Sequence, residues 1–400
     1  MSWRPPAWRT AGSAGARKKE RRLSMTGAMY AAISGLKSHM TKLNVIGNNI
    51  ANVNTYGYKS ARTTFRETIY TTLTAGSEGT DVTGGVNPNQ IGYGCNIGTI
   101  DLDMSNGPAV PTGINLDCMI QGDGFFLVGD KTTGVATDNL NSLMMTKVGD
   151  FDFDSDGYLV DGAGNVVYGF LTTSVQKADD GTFTAGGANV KEGITSTQLV
   201  PIRLPLAATQ DAADGSYKAG DPIYPGLAGD ATNGYTNTEA QDGTTIPTDG
   251  SRVSVNIDSL KIEQSGKIVA TTENGKVMTV GYVALGKVEN PAGLNHLTGP
   301  YYQAGGAAGD MSVTTAGVTV GTGYLNNMTQ PTGTPAAGAA VPVRIVGSDN
   351  SLLSGFLEGS GTDLATEFSE MITTQRGYQA NTRIVTVTDS MLEELVNMKR

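Results

Sequence analysis

The chain is short of the residues that catalysis most often uses. It has two histidines and two cysteines in 400 residues, and aromatic residues make up only 6%. A histidine-based triad needs an imidazole beside a nucleophile and a carboxylate. His39 lies between Ser38 and Met40 in a stretch patterned as helix, and His296 lies in a loop. No nucleophile motif stands near either, so both read as structural or solvent-exposed. Cys95 and Cys118 form no CxxC, and two cysteines are no disulfide framework, although a bridge between them stays open. Cys118, in the run Asp117-Cys118-Met119-Ile120, reads as a small buried hydrophobe. No run of 18 apolar residues occurs, so no helix is expected to cross a membrane.

Three motifs come near to chemistry and fall short. Asp152-Phe153-Asp154-Ser155-Asp156-Gly157 opens like a calcium loop, but the twelfth position, where a bidentate Glu is needed, is Ala163. The flanks read as strands, so an Asp- and Gly-stabilised β-turn is the simpler reading. Gly92-Tyr93-Gly94-Cys95-Asn96-Ile97-Gly98 lacks both the spacing and the following helix of a dinucleotide loop. Asn327-Met328-Thr329 is a lone glycosylation sequon. The expectation is therefore no enzyme, no catalytic residue, no cofactor and no metal.

Charge is unevenly placed. Residues 1–24 hold seven Lys/Arg and one Glu, and both tryptophans, Trp3 and Trp8. Without them the net charge moves from -10 to -16. The segment has no apolar core and is no secretory signal. It is expected to be disordered, or upstream sequence read from too early a start codon. The acidic remainder speaks against nucleic acid as a partner, because phosphate binding needs Lys and Arg.

What is abundant is helical patterning at the two ends. Met29, Ile33, Leu36, Met40, Leu43, Gly47 and Ile50 alternate in steps of four and three. So do Leu364, Phe368, Met371, Gln375, Tyr378, Thr382, Val385, Asp389, Leu392 and Val396. Such heptad stripes belong to helices that pack along their length. The first helix is expected over about Thr26 to Asn52, with Thr26 as N-cap. Asn54-Thr55-Tyr56-Gly57-Tyr58 then turns the chain. The last helix is expected from about Thr362, with Asp363 in its first turn and Lys399 and Arg400 at its C-terminal pole.

Asn44, Asn48 and Asn52 form an i, i+4, i+8 row, joined by Asn49 and Asn54. Asn is a mediocre helix former, and Lys or Glu would serve a solvated face better. Asn both donates and accepts hydrogen bonds, so the row points to register-fixing contacts between helices or subunits.

The stretch between the helices is rich in Gly, Thr, Val and Asp and reads as β structure. Thr63 to Leu73 looks extended, and Ala75 to Gly94 looks like a loop or wrapping arm. Strands are expected over 98–104, 117–128, 143–153, 158–161, 166–172, 251–256, 260–264, 268–272 and 277–285. Residues 177–250 and 303–342 are poor in large apolar side chains and read as loop-rich excursions. A chain of this length is expected to form two to four domains.

At this point the chain resembles a known family. The segment Ser34 to Ser60, with Leu43-Asn44-Val45-Ile46-Gly47-Asn48-Asn49-Ile50-Ala51-Asn52-Val53-Asn54-Thr55 at its centre, is similar to the N-terminal signature of bacterial flagellar rod and hook proteins. Asp117 to Val128 and Gly149 to Asp161 resemble two further landmarks, and Leu352 to Arg400 resembles the hook C-terminus. The length and the ending favour hook over distal rod.

The resemblance implies a mainly β fold of irregular β domains, flanked by N- and C-terminal helices that pack as a coiled coil. The parts would be a leader (1–24), an N-terminal tube helix (25–58), a first β part with an extended arm (59–176), an insertion or reduced outer domain (177–250), a second β part (251–358) and a C-terminal tube helix (359–400). It implies type III export, a homopolymer, and contacts with distal rod, hook cap and hook–filament junction proteins, with no nucleic acid or membrane partner. The assembly interface would use Met29, Ile33, Leu36, Met40, Leu43, Asn44, Asn48, Asn49 and Asn52 of the first helix. From the last it would use Phe368, Met371, Tyr378, Val385, Leu392 and Val396. Isolated stripes of this kind would be covered only on assembly. A secreted β-rich adhesin or carbohydrate-active enzyme would account for the middle of the chain but not for heptads at both ends.

Overall fold

The computed structural model describes residues 12–79, 84–131, 143–172, 175–177, 183–185, 199–207, 222–223, 225–227, 235–240, 255–273, 275, 277–309, 311–316, 320–324, 342–345 and 347–398. The chain divides into two compact units. One comprises Met1–Val53, Lys59–Asp103 and Thr362–Arg400; the other comprises Asn54–Tyr58 and Met104–Gly361. The expected mainly β fold with a helix near each end is present. The segment 59–103, expected with the first β part, groups with the helices instead.

In the first unit, α1 runs over Gly12–Ala51 and α2 over Leu364–Asn397. α1 thus opens well before Thr26, which lies inside the helix and caps nothing. Residues 13–24 contain Ala, Arg, Lys and Glu, all good helix formers, and so continue the helical pattern toward the N-terminus. Residues 1–11 of the leader lie outside the described residues. Asp363 is the N-cap of α2 rather than a first-turn residue. Its side chain accepts from the Ala365 N–H at 3.0 Å and from the Thr366 hydroxyl at 2.6 Å.

The expected arm is a β-ribbon. β1 (Ala61–Glu67) pairs antiparallel with β4 (Cys95–Leu102), and β2 (Tyr70–Thr74) with β3 (Asn89–Gly92). The Thr68 N–H donates to the Gly94 carbonyl at 3.0 Å, and that of Tyr93 to the Ile69 carbonyl at 3.2 Å, joining the two ladders. Within Ala75 to Gly94, expected as a loop or wrapping arm, Asn89–Gly92 is a strand and Ser77 bridges to Val86; the glycines there hide the alternation of a strand.

The second unit is the β body. Its main sheet runs in the order Ile257–Ile262, Lys267–Thr272, Val277–Val283, Val166–Leu171, Phe125–Gly129, Leu285–Lys287, Ser312–Ala316 and Gly347–Ser348. Only the last pair is parallel. Cys118–Gln121 pairs with Ser351–Ser354, and Ala109–Pro111 with Phe356–Glu358. The core gathers Ile120, Phe126, Leu159, Val167, Ile202, Ile268 and Leu285, all fully buried. Phe126 meets Phe151 edge to face at 4.9 Å. Two expected strands, 117–128 and 143–153, are each split in two by a short turn. Within 177–250 and 303–342, Val200–Pro201 and Ser312–Ala316 join the main sheet and other described residues form short two-stranded ladders; most of both segments, Asn327 and residues 251–254 lie outside the described residues.

The turn at Asn54–Tyr58 depends on Gly57. Its φ is +66°, and a Cβ there would stand 2.6 Å from a Val148 methyl. No other residue meets both demands. Cys95 and Cys118 are both free thiols. Burial, with Asp117 and Asp150 nearby, pushes the Cys118 thiol well up, so it is inert and acts as core.

Tyr302 is buried in this body, 6.1 Å from Phe125 between ring centres. Burial, with Tyr58 and Glu358 nearby, pushes its phenol up to about 12. A raised folded value means stability that is complete below the unfolded phenol's pKa, near 10, and lost as pH rises through about 12. The loss reaches about 3 kcal/mol. Chemical denaturation of the β body should therefore show stability falling between about pH 10 and pH 12. Tyr302→Phe should show a smaller fall, and parallel alkaline curves would refute the assignment.

Candidate assembly site

α1 and α2 pair antiparallel. Lys42 binds Glu370 at 2.9 Å, and Asn49 Nδ2 donates to Glu367 Oε1 at 2.8 Å. Gly35 faces Asn381, and Gly377 faces His39; a Cβ on either glycine would fall 2.7–2.8 Å from the opposing side chain. Each glycine is a notch that receives the partner's knob, which brings the backbones close. The buried residues of the helices are largely polar: Ser38, Asn49, Thr374 and Thr388 are each no more than 4% exposed, beside the apolar Ala32 and Ile46.

Asn49 is the centre of this face. Its Oδ1 accepts from the Ala61 N–H at 3.0 Å, and its Nδ2 donates to the Ala61 carbonyl at 2.9 Å as well as to Glu367. One side chain thus ties α1 to β1 and to α2. Burial raises the Glu367 carboxyl pKa against the hydrogen bond from Asn49, and Glu370 and Asp363 add to the rise. Burial and the Lys42 ammonium lower the pKa of His39, whose ring stands edge-on to Phe65 at 5.5 Å.

The ribbon is stitched to α1 further along. Gly94 has φ +105° and a Cβ there would collide with Ser34, so only glycine lets the ribbon lie this close. The Cys95 N–H donates to Ser34 Oγ at 3.3 Å, and Ser38 Oγ donates to the Cys95 carbonyl at 3.4 Å.

Several large apolar residues of the helices look outward, although Ala32 and Ile46 of α1 are buried. Ile33 and Met40 on α1 are 46% and 50% exposed; on α2, Phe368, Ile372, Val387 and Val396 are between 49% and 69% exposed. The pattern inverts that of an ordinary surface helix, whose apolar stripe faces the core. The hydroxyls of Thr373, Thr382, Thr386 and Ser390 all turn back onto carbonyls of their own helix. They saturate themselves, leaving an outer surface with few competing donors.

The expected stripes divide accordingly. Met29, Leu36, Leu43, Met371, Tyr378, Val385 and Leu392 are half-buried at the margin of the pair, whereas Ile33, Met40, Phe368 and Val396 are exposed. Asn44 and Asn48 are exposed, Asn52 is half-buried and donates to Asn48, and Asn49 alone of the row is buried. Sequence reasoning missed Gly35, Gly377, Glu367 and Thr374. They follow the same seven-residue rhythm one position out of phase, and small or polar residues give no apolar signal.

The calcium lookalike is a turn. Asp154 Oδ1 accepts from the N–H groups of Asp156 and Tyr158 at 3.0 and 2.8 Å. The Lys131 ammonium binds both Asp154 and Asp156. Burial pushes the Asp154 carboxyl up, but the Lys131 and backbone donors outweigh it and hold it below its usual value.

A close antiparallel pair of helices that leaves large apolar side chains exposed, with a β body between them in sequence, is the class of chain the structure defines. The description "Flagella basal body rod protein" matches residues 29–59, and "Flagellar basal body rod FlgEFG protein C-terminal" matches residues 353–398. The flagellar basal-body rod protein FlgG of Bacillus subtilis is 30% identical over 94% of this chain and 100% of its own length. The flagellar hook proteins FlgE of Borreliella burgdorferi and Salmonella typhimurium are 29% and 26% identical, over 94% and 92% of this chain and 100% and 99% of theirs. The chain belongs to the flagellar rod and hook protein family.

Proposed function

We propose that the chain is a structural subunit of the bacterial flagellar hook, polymerising into a flexible tube that passes torque from motor to filament. The observation that carries this reading is the outward apolar side of α1 and α2, which a single subunit leaves in water. Such a surface is stabilised when neighbouring copies cover it. A heterologous contact that does not close on itself then gives an open helical polymer. Its further partners would be the distal rod, the hook cap, the hook–filament junction and the export apparatus, and its place would be the flagellum outside the cell.

A second reading, distal rod subunit, is favoured by one observation: the relative at 30% identity over nearly the whole chain is named a rod protein. Antibody labelling of hook–basal bodies from the parent strain separates the two. Label along the curved segment is expected; label confined to the straight rod selects the second reading. Absence of label from both overturns the assignment.

A further inference from the structure

His39 stands where α1, α2 and β1 meet, and self-assembly makes no use of its chemistry. Its imidazole lies against Gly377 of α2: a Cβ on that glycine would fall 2.8 Å from Cε1 and 2.9 Å from Nε2. From β1 the Phe65 ring meets it edge to face at 5.5 Å between ring centres. Its Nδ1 is buried and has no hydrogen-bond partner among the described residues. A neutral imidazole can leave that nitrogen bare. A protonated one carries an N–H on both nitrogens, so a charged donor would be buried in the seam with nothing to accept it.

The charges on the three elements do not favour a further cation here. Burial, and then the ammonium of Lys42 one turn along α1, hold the imidazole below its ordinary value. Glu370 of α2 is bound to that lysine at 2.9 Å. On β1, Glu67 lies on the same side of the strand as Phe65 and accepts from the Tyr70 hydroxyl at 2.7 Å. Arg376, beside Gly377 on α2, is another cation and is exposed. We propose that His39 is a pH-sensitive clasp of the helical unit: neutral, it seats in the Gly377 notch and closes α2 and β1 onto α1; protonated, it loosens both. The sign follows from the lowered folded value. Stability is complete above the unfolded imidazole's pKa of about 6.5 and is lost as pH falls from there through the folded value. Glu367, whose carboxyl is raised, acts with the opposite sign, and comparison with a His39 variant removes its share. The clasp belongs to the single subunit, so it holds for hook and rod alike.

Amide exchange of the full chain, corrected for the intrinsic effect of pH on exchange, tests it. Between about pH 7.5 and about pH 5.5, protection of the helix amides over 37–42 and 374–378 should fall at least about threefold in the parent. In His39→Gln, which has no proton to gain at this site, the fall should be less than half as large. An equal fall in both proteins, or none in the parent, overturns the clasp. So does a parent whose helices are unprotected at both pH values. Should His39→Gln fail to fold, the imidazole signal of His39 in the parent decides, told from that of His296 by its persistence in His296→Gln. A titration midpoint below about 6.5 upholds the proposal, and one at or above it overturns it.

Discussion

Val387→Asp is expected to leave the isolated subunit folded and to abolish its polymerisation. Val387 is 55% exposed on the outer side of α2. In the free subunit an Asp there costs no more than the difference in helix propensity, well under about 1 kcal/mol. In a polymer the same carboxylate must be buried without a partner, which costs several kcal/mol. A loss of about 4 kcal/mol raises the critical concentration roughly a thousandfold, and every subunit repeats it. Sedimentation beside a calorimetric scan reads both halves of the expectation. Polymerisation at the parent's concentration would show that the outer side of α2 is not the face that other copies cover. Leu392→Asp is a poorer test: Leu392 is half-buried at the margin of the helix pair, so its loss would mix subunit folding with assembly.

The same contrast explains what the sequence could and could not tell. The helices were legible because a seven-residue repeat of large apolar side chains survives without context. Their mutual contact was not, because it is made by Gly35, Lys42, Asn49, Glu367, Glu370 and Gly377. These act by being small, by hydrogen bonding or by pairing charge, and none of these properties gives an apolar stripe. The apolar stripe therefore pointed to the outer side of the pair rather than to its seam.

The β body was read well where β-branched and aromatic residues cluster, as in Val166–Leu171, and poorly where glycine interrupts, as at Gly122 and Gly149. Gly57 was legible as a turn because an Asn- and Gly-containing run after a long helix has few other conformations open to it. Asn49 could be suspected only as one of a row. Selecting it over Asn44 and Asn48 required knowing where β1 and α2 lie.

Asn49→Asp is expected to weaken the helical unit strongly at neutral pH and much less in acid. The retained oxygen can still accept from the Ala61 N–H. The other position, now an oxygen, faces the Ala61 carbonyl and Glu367 Oε1, where the amide nitrogen had donated at 2.9 and 2.8 Å. Two carboxylates, one of them buried, and a carbonyl then meet without a proton between them. The lost donors and the repulsion together cost about 3 kcal/mol or more.

The sign with pH follows from the neighbours. Glu367 already has a raised pKa, and the introduced carboxyl would be raised above the ordinary Asp value of about 3.9. Groups with raised folded values give stability that is present in acid and lost as pH rises through them. One shared proton restores a donor between the two carboxyls. Denaturation of variant and parent should therefore differ most near about pH 7 and least near about pH 4. Comparison at each pH removes the acid loss common to both proteins, including that of Asp363, whose pKa is lowered by its capping bonds to Thr366 and Ala365. Asn49→Leu, which removes the donors without adding charge, should show a deficit that does not narrow in acid. Faster amide exchange at Ala61 in both variants would place the damage at the α1–β1 tie. An Asn49→Asp deficit equal at the two pH values would show that this side chain does not stand between Ala61 and Glu367 as a shared donor.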